Sequence, residues 1–336
     1  MSEVKESGTG TGTTGGRLVL VGNTIVDLVM RVAALPERGG DVVARDSGLA
    51  TGGGFNVLAA ARRLGLPAVY AGAHGTGPFG DRVRADLARE GVGTVLPPLA
   101  AADTGFCVAF VDDSGERTFA TSLGAEARLT GADAAAVLAA LLPGDLVQVS
   151  GYGLAYPGNG PVLASLVKRL PPDVRVLLDP GPLVAEIPDD VLDPVLERSD
   201  WISCNQREGQ LLTGLYGARE AAVALADRLD PRTGVLVRAD AAGCWLLPPD
   251  STDLRHLPGR RVTAVDSNGA GDAHVGAFLA LLGHGLDPVT AAEGANAAAA
   301  LAVTRTGPAT GPTREELLAS LDDGLLAARL SAAIPA

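Results

Sequence analysis

The chain has 336 residues, 47% of them hydrophobic, enough for a large core and too many for global disorder. Against 27 Lys and Arg stand 39 Asp and Glu, a net charge of −12, so neither a nucleic-acid backbone nor an anionic membrane is expected as a partner. Lysine occurs only at Lys5 and Lys168, neither after a glycine, which excludes a GxxxxGK[ST] phosphate loop.

Residues 1–16, MSEVKESGTGTGTTGG, carry no apolar run and read as a flexible leader. Gly10-Thr11-Gly12-Thr13-Thr14-Gly15 matches GxGxxG letter for letter. A dinucleotide fingerprint must follow a strand and open a helix, however, and the first strand-like run, Leu18 to Val21, comes only afterwards. From Arg17 onward, short β-branched runs alternate with Ala/Leu/Arg-rich stretches at helical spacing, the signature of an α/β protein. The predicted strands are Leu18 to Val21, Ala68 to Ala71, Leu146 to Val149, Val174 to Leu178, Trp201 to Ser203 and Gly234 to Val237. The predicted helices are Phe55 to Leu64, Phe79 to Glu90, Ala132 to Leu142, Gly160 to Leu170, Arg207 to Thr213 and Ala218 to Leu229, with an apolar helix at about Ala273 to Leu282. Helices of this length between strands favour parallel βαβ units.

Two segments break the alternation. Leu28 to Leu49 and Gly105 to Ser122 read as hairpins, the second turning at Asp112-Asp113-Ser114-Gly115. Paired with each other they make a small sheet outside the main layer, so residues 17–330 are expected as one domain with a lid at about 28–49 and 105–122. The longest run without Asp, Glu, Lys or Arg, Leu146 to Val167, is interrupted by glycines and prolines and is no membrane helix. Cys107, Cys204 and Cys244 are odd in number and form no CxxC, which suits a reduced, cytoplasmic protein. GxSxG and HExxH are absent.

The strongest local signal is Asp266-Ser267-Asn268-Gly269-Ala270-Gly271-Asp272 before the apolar helix. A glycine-rich turn at a helix start leaves backbone N–H groups unpaired beside the positive end of the helix dipole, which makes an anion site. Asp272 in the first turn adds a proton acceptor, and the two together are the minimum equipment for phosphoryl transfer to an alcohol. The plainer alternative is a tight turn in which Asp272 merely caps the helix. Upstream, Asp27 lies just beyond the first strand, at the carboxyl edge of a parallel sheet, where α/β ligands bind.

The run DSNGAGDAHVGAF resembles the DTxGAGDxFxxG signature of the ribokinase-like carbohydrate kinases, the PfkB family. Thr51-Gly52-Gly53-Gly54-Phe55-Asn56 resembles the same family's GGxGxN segment, and the likeness runs from Arg17 to Leu317. It implies a three-layer α/β/α ribokinase-like fold with a small β-sheet lid, and ATP-dependent phosphorylation of a sugar hydroxymethyl group. It also implies that Asp272 is the general base and that the N–H groups of Gly269, Ala270 and Gly271 hold the transferring phosphoryl group. Asp27, Gly53, Gly54 and Asn56 are implied to bind the acceptor, and Asn205, Arg238 and Asn296 the nucleotide. Glu208, in an NxxE element, would order water around Mg²⁺, and the Asp266 region would take K⁺. Related kinases pair through their lids, so a homodimer is expected.

Departures bear on the acceptor. Ile25, Gly53 and Ser150 stand where ribokinases carry Asn, Lys and Glu, which argues against ribose. Asp240 is an unexpected carboxylate in a turn that touches the nucleotide, and His274 replaces an aromatic. A nucleoside kinase of the same fold is the alternative, distinguished by an aromatic platform near the lid, and a ligand-binding relic without turnover is a third reading.

Overall fold

The computed structural model describes residues 16–113 and 116–335. The GxGxxG stretch at residues 10–15, nearly all of the leader, and Ser114 and Gly115 of the expected hairpin turn lie outside them. The chain opens with β1 (Leu18–Val21), β2 (Thr24–Arg31) and β3 (Asp46–Gly53), which runs directly into α1 (Gly54–Arg63). Next come β4 (Ala68–Tyr70), α2 (Pro78–Arg89), β5 (Gly93–Thr94), then the second hairpin, β6 (Phe106–Val111) and β7 (Arg117–Ser122). The middle contains α3 (Gly131–Ala140), β8 (Leu146–Ser150), α4 (Gly151–Ala155), α5 (Gly160–Lys168), β9 (Arg175–Asp179) and α6 (Asp189–Arg198). It continues with β10 (Trp201–Asn205), α7 (Gln206–Thr213), α8 (Ala218–Arg228) and β11 (Gly234–Arg238). The last part holds β12 (Gly243–Leu247), β13 (Arg255–Pro258), α9 (Ala270–Gly283), α10 (Pro288–Ala302), α11 (Arg314–Ala319) and α12 (Gly324–Ala333).

The main sheet has the order β13-β12-β11-β10-β9-β8-β1-β4-β5. It is parallel from β5 to β11, and β12 and β13 extend it antiparallel at one edge. Strand β1, Leu-Val-Leu-Val, is buried at every residue. Leu18 and Leu20 join a core with α1, α9 and α10, while Val19 and Val21 join a second core with α3, α5 and α6. A strand covered on both faces has no solvent side to mark with polar residues, and so it reads as an unbroken apolar run. Helices on both sides of the sheet make the three-layer α/β/α arrangement. No helix among the described residues is long and apolar enough to cross a membrane.

The two hairpins do pair with each other. The second sheet has the order β3-β2-β6-β7, antiparallel within each hairpin and parallel where β2 meets β6. The first hairpin is longer at its base than expected, because pairing starts at Thr24 and ends at Gly53, which puts Asp27 inside a strand. Register places Asp27, Cys107 and Thr121 in one row, on the face that also carries Phe119 and Arg117. The opposite face carries Leu28, Met30, Leu49, Val108 and Phe110. Buried Glu126 fastens the roots of the second hairpin, accepting the Gly105 N–H at 2.7 Å and the Gly124 N–H at 2.8 Å.

Candidate active site

Helix α9 starts where the sequence places its anion turn. Gly269 has φ of 74°, and a Cβ there would also collide with the Pro308 carbonyl, so the position requires glycine twice over. The Ala270 N–H turns back to the Ser267 carbonyl at 3.3 Å. That differs from the expectation that Ala270 presents its N–H outward, and it leaves Gly271 and Asp272 as the first-turn positions without an i−4 partner. The Asp272 carboxylate accepts Asn56 Nδ2 at 2.8 Å, joining the first turn of α9 to that of α1. Burial, with Asp179 and Asp27 nearby, lifts its carboxyl to about 7 in spite of Asn56 and Arg238.

The acceptor side is built around Asp27 on the inner lid face. Burial pushes its carboxyl up to about 6. Its Oδ2 lies over Gly52 Cα, where any Cβ would strike it. Gly53, with φ of 64°, lets the chain turn from β3 into α1. Gly54 departs from expectation: its N–H is donated to the Asn23 carbonyl at 2.9 Å, so it fastens the loop instead of facing an acceptor. Asn56 Oδ1 and Asn23 Oδ1 are buried without a hydrogen-bond partner. Buried acceptors of this kind need a donor, and a polyol hydroxyl is one. Tyr152 and Tyr156, on the segment after β8, complete this side; Asn23 Nδ2 reaches the Tyr156 hydroxyl at 3.4 Å. The Tyr152 phenol, raised to about 12 chiefly by burial, also feels Asp272, Glu208 and Asp179.

On the other side of the anion turn lies a cleft of about 860 Å³, lined among others by Asn205, Arg238, Asp240, Gly271, His274 and Asn296. Arg238, at the end of β11, holds Asp179 Oδ2 at 3.2 Å, Ser203 Oγ at 2.9 Å and Glu208 Oε2 at 3.5 Å. Its guanidinium lies 3.7 Å from where a Gly271 Cβ would sit. Glu208 is buried rather than on a solvated helix face, because it closes a capping box with Asn205 at 2.8 Å in both directions. Burial and Asp179 raise its carboxyl to about 7. Asn296 lines the cleft with its amide already engaged: Nδ2 donates to the Leu257 and Pro258 carbonyls at 3.1 and 3.3 Å, and Oδ1 meets His274 Nε2 at 3.1 Å. That locks β13 to α9 and α10. Asp240 has φ of 49°, an uncommon conformation for a residue with a side chain, at the cleft wall.

The structure thus gathers Asp272, Asn56 and Asp27 on one side of the turn and Arg238, Asn205 and Glu208 on the other. Asp179, Asn23, Tyr152 and Tyr156 join them without a motif of their own. The sequence held one clue for Asp179, Asn23 and Tyr152, which stand within three residues of the carboxyl end of a predicted strand, the ligand edge of a parallel sheet; Tyr156 follows α4 and had none.

A positive helix start, a basic carboxylate beside it and a large cleft opening there are the equipment of a phosphotransferase on an α/β fold. The chain belongs to the pfkB family of carbohydrate kinases, whose model matches residues 16–315. It is 32% identical over 317 residues to the uncharacterised sugar kinase YegV of Escherichia coli, covering 91% of this chain and 94% of that one. It is 31% identical over 327 residues to a fructokinase of Klebsiella pneumoniae, covering 91% and 99%. Among solved structures, a double mutant of Vibrio cholerae fructokinase with fructose, ADP and a potassium ion bound superimposes with a TM-score of 0.76 at 25% identity, covering 93% of this chain and 100% of that one.

Proposed function

We propose that this carbohydrate kinase transfers the terminal phosphoryl group of ATP to a hydroxymethyl group of a neutral sugar. The observation that carries the reading is the Asp272 carboxylate. Its raised proton affinity, its bond to Asn56 and its seat in the first turn of α9 suit a base that takes the hydroxyl proton near neutral pH. Asp27 holds sugar hydroxyls as an ionised acceptor, with the unpartnered Asn23 and Asn56 oxygens facing further donors. The Gly271 and Asp272 first-turn N–H groups, with the Gly269 turn before them, receive the phosphoryl group, and the large cleft between Asn205 and Val303 receives the nucleotide.

No three-residue His/Cys/Asp/Glu metal cage exists among the described residues. The residues fit a Mg²⁺ brought in on the phosphates all the same: two carboxylates, Asp179 and Glu208, stand beside the turn with a single guanidinium between them. Bound there, Mg²⁺ would neutralise phosphate charge as it develops.

One observation favours a nucleoside as second acceptor class. Phe119 is 58% exposed on the inner lid face, and Tyr152 is 39% exposed at the edge of the acceptor side. Either ring offers a flat apolar surface to a base. A second copy of the chain is proposed as partner, covering the apolar outer lid face. Measuring ADP release with a panel of sugars and nucleosides, with the phosphorylated product identified by mass, tests the reading. Release with a sugar supports it, and release only with nucleosides moves it to the second class. ADP binding without turnover on any acceptor supports the relic.

A further inference from the structure

The Vibrio cholerae relative carries a potassium ion, and the resemblance assigns a monovalent cation to the neighbourhood of Asp266. The Asp266 carboxylate and the Val303 carbonyl do not fit one. Asp266 Oδ1 accepts the Arg117 guanidinium, reaching in from lid strand β7, and also the Asn268 N–H at 2.9 Å. Oδ2 accepts the Gly307 N–H at 3.1 Å. The Val303 carbonyl, another oxygen of that neighbourhood, accepts the Val265 N–H at 2.7 Å and the Asp266 N–H at 3.1 Å. A cation needs several oxygens whose lone pairs face one point. These oxygens face protons, and a full positive charge already occupies the approach. The pair is mostly withdrawn from water, with the Arg117 and Asp266 side chains 25% and 10% exposed. Displacing the guanidinium would therefore strand a desolvated charge.

We propose that Arg117 supplies from the lid the positive charge that a monovalent cation would otherwise bring to Asp266, so that the anion turn is set without K⁺ and only when the lid is down. The same Oδ1 that takes Arg117 holds the N–H of Asn268, the residue before Gly269. Lid position is thereby tied to the turn through one carboxylate oxygen. Arg117 touches Asp266 and not a substrate, and acts as a positioning residue. For the meaning of the turn this rests on the kinase reading; the exclusion of the cation does not.

The test is thermal unfolding and Mg·ADP affinity of the full-length protein in KCl, NaCl and choline chloride at matched ionic strength. The wild type should give the same Tm and affinity in all three. Arg117→Ala should acquire a rise in Tm of about 2 °C in KCl over choline chloride, the scale expected when a weak ligand binds only the folded state. A wild type stabilised by KCl over choline chloride overturns the proposal, as does an Arg117→Ala protein indifferent to K⁺. Should Arg117→Ala not fold, Arg117→Gln takes its place, and the wild-type comparison alone still has the power to overturn. Failure to bind ADP in any salt counts against the kinase reading, while the Tm comparison still decides this one.

Discussion

A carboxylate in the first turn of a helix ordinarily loses its proton more readily, because the positive helix end favours its charge. Asp272 goes the other way, to about 7, since burial and the Asp179 and Asp27 charges outweigh Asn56 and Arg238. Two consequences belong to this residue. As general base it must be ionised, so kcat should fall about tenfold per pH unit below roughly pH 7 and level off above it, and Asp272→Asn should lower kcat by about 10²- to 10⁴-fold with Mg·ADP affinity retained. Stability takes the opposite sign: the folded protein holds this proton more tightly than the unfolded chain, where the carboxyl titrates near 3.8. The advantage is full below about pH 4 and lost as pH rises through about 7. Asp272→Asn should accordingly raise Tm at pH 8 and leave it nearly unchanged at pH 4, which thermal scans at the two pH values check. Near-normal turnover of the variant would remove Asp272 from the chemistry. Asp272, Asp27 and Asn56 were legible because each sits in a contiguous motif. Asp179 was not, because its partner Arg238 lies far along the chain; Arg117 stood out as a lid cation that could bear on the acceptor, but its pairing with Asp266 is made only by the fold.

Helices with a polar side were mostly legible, and so were the unbroken apolar runs of β1 and α9, whereas α6 was missed although it has a polar side, its pattern being interrupted by Pro194. The helices at α1, α2, α5 and α8 carry a polar side and came out within a few residues. Helix α10 is Ala-rich and buried on most sides, so it shows no 3.6-residue stripe, although Asp287-Pro288 is a good N-terminal signal and Asp287 does accept the Val289 and Thr290 N–H groups. Strands β12 and β13 escaped because they are short and antiparallel where the rhythm promised βαβ. The lid hairpins were legible as breaks in that rhythm; what fastens them was not. Glu126 lies outside both hairpins, yet its two oxygens accept one backbone N–H from each root of the second hairpin. Glu126→Ala would leave the buried Gly105 N–H and the half-buried Gly124 N–H unpaired, for a loss of about 2 to 4 kcal/mol at the scale of hydrogen bonds to charged groups. Urea unfolding measures this directly, and a loss under about 1 kcal/mol would mean that water replaces the carboxylate.

At the scale of the whole molecule the lid poses a problem of its own. The four-stranded sheet has two faces: the inner one bears on the active site, and the outer one is covered at its root, where Val26 is buried and Phe106 meets Phe79 of α2. The outer face carries Leu28, Met30, Leu49, Val108 and Phe110, brought side by side by the pairings Leu28 with Leu49 and Val108, and Met30 with Phe110. None of the five is fully buried in the single chain. An apolar patch of this make-up on an exposed sheet favours association, and a second copy of the same face is the simplest cover that closes on itself by a two-fold axis. Such a pairing would also hold each lid over its own acceptor side, since Asp27 and Leu28 are neighbours on one strand and point to opposite faces. Light scattering of the wild type should then give a dimer. Val108→Glu places a charge at the centre of the outer face without touching the inner row of Asp27, Cys107 and Thr121, so it should give a monomer that still unfolds cooperatively and still binds Mg·ADP. A monomeric wild type, or a dimer unmoved by Val108→Glu, would show that the lid face is covered in some other way.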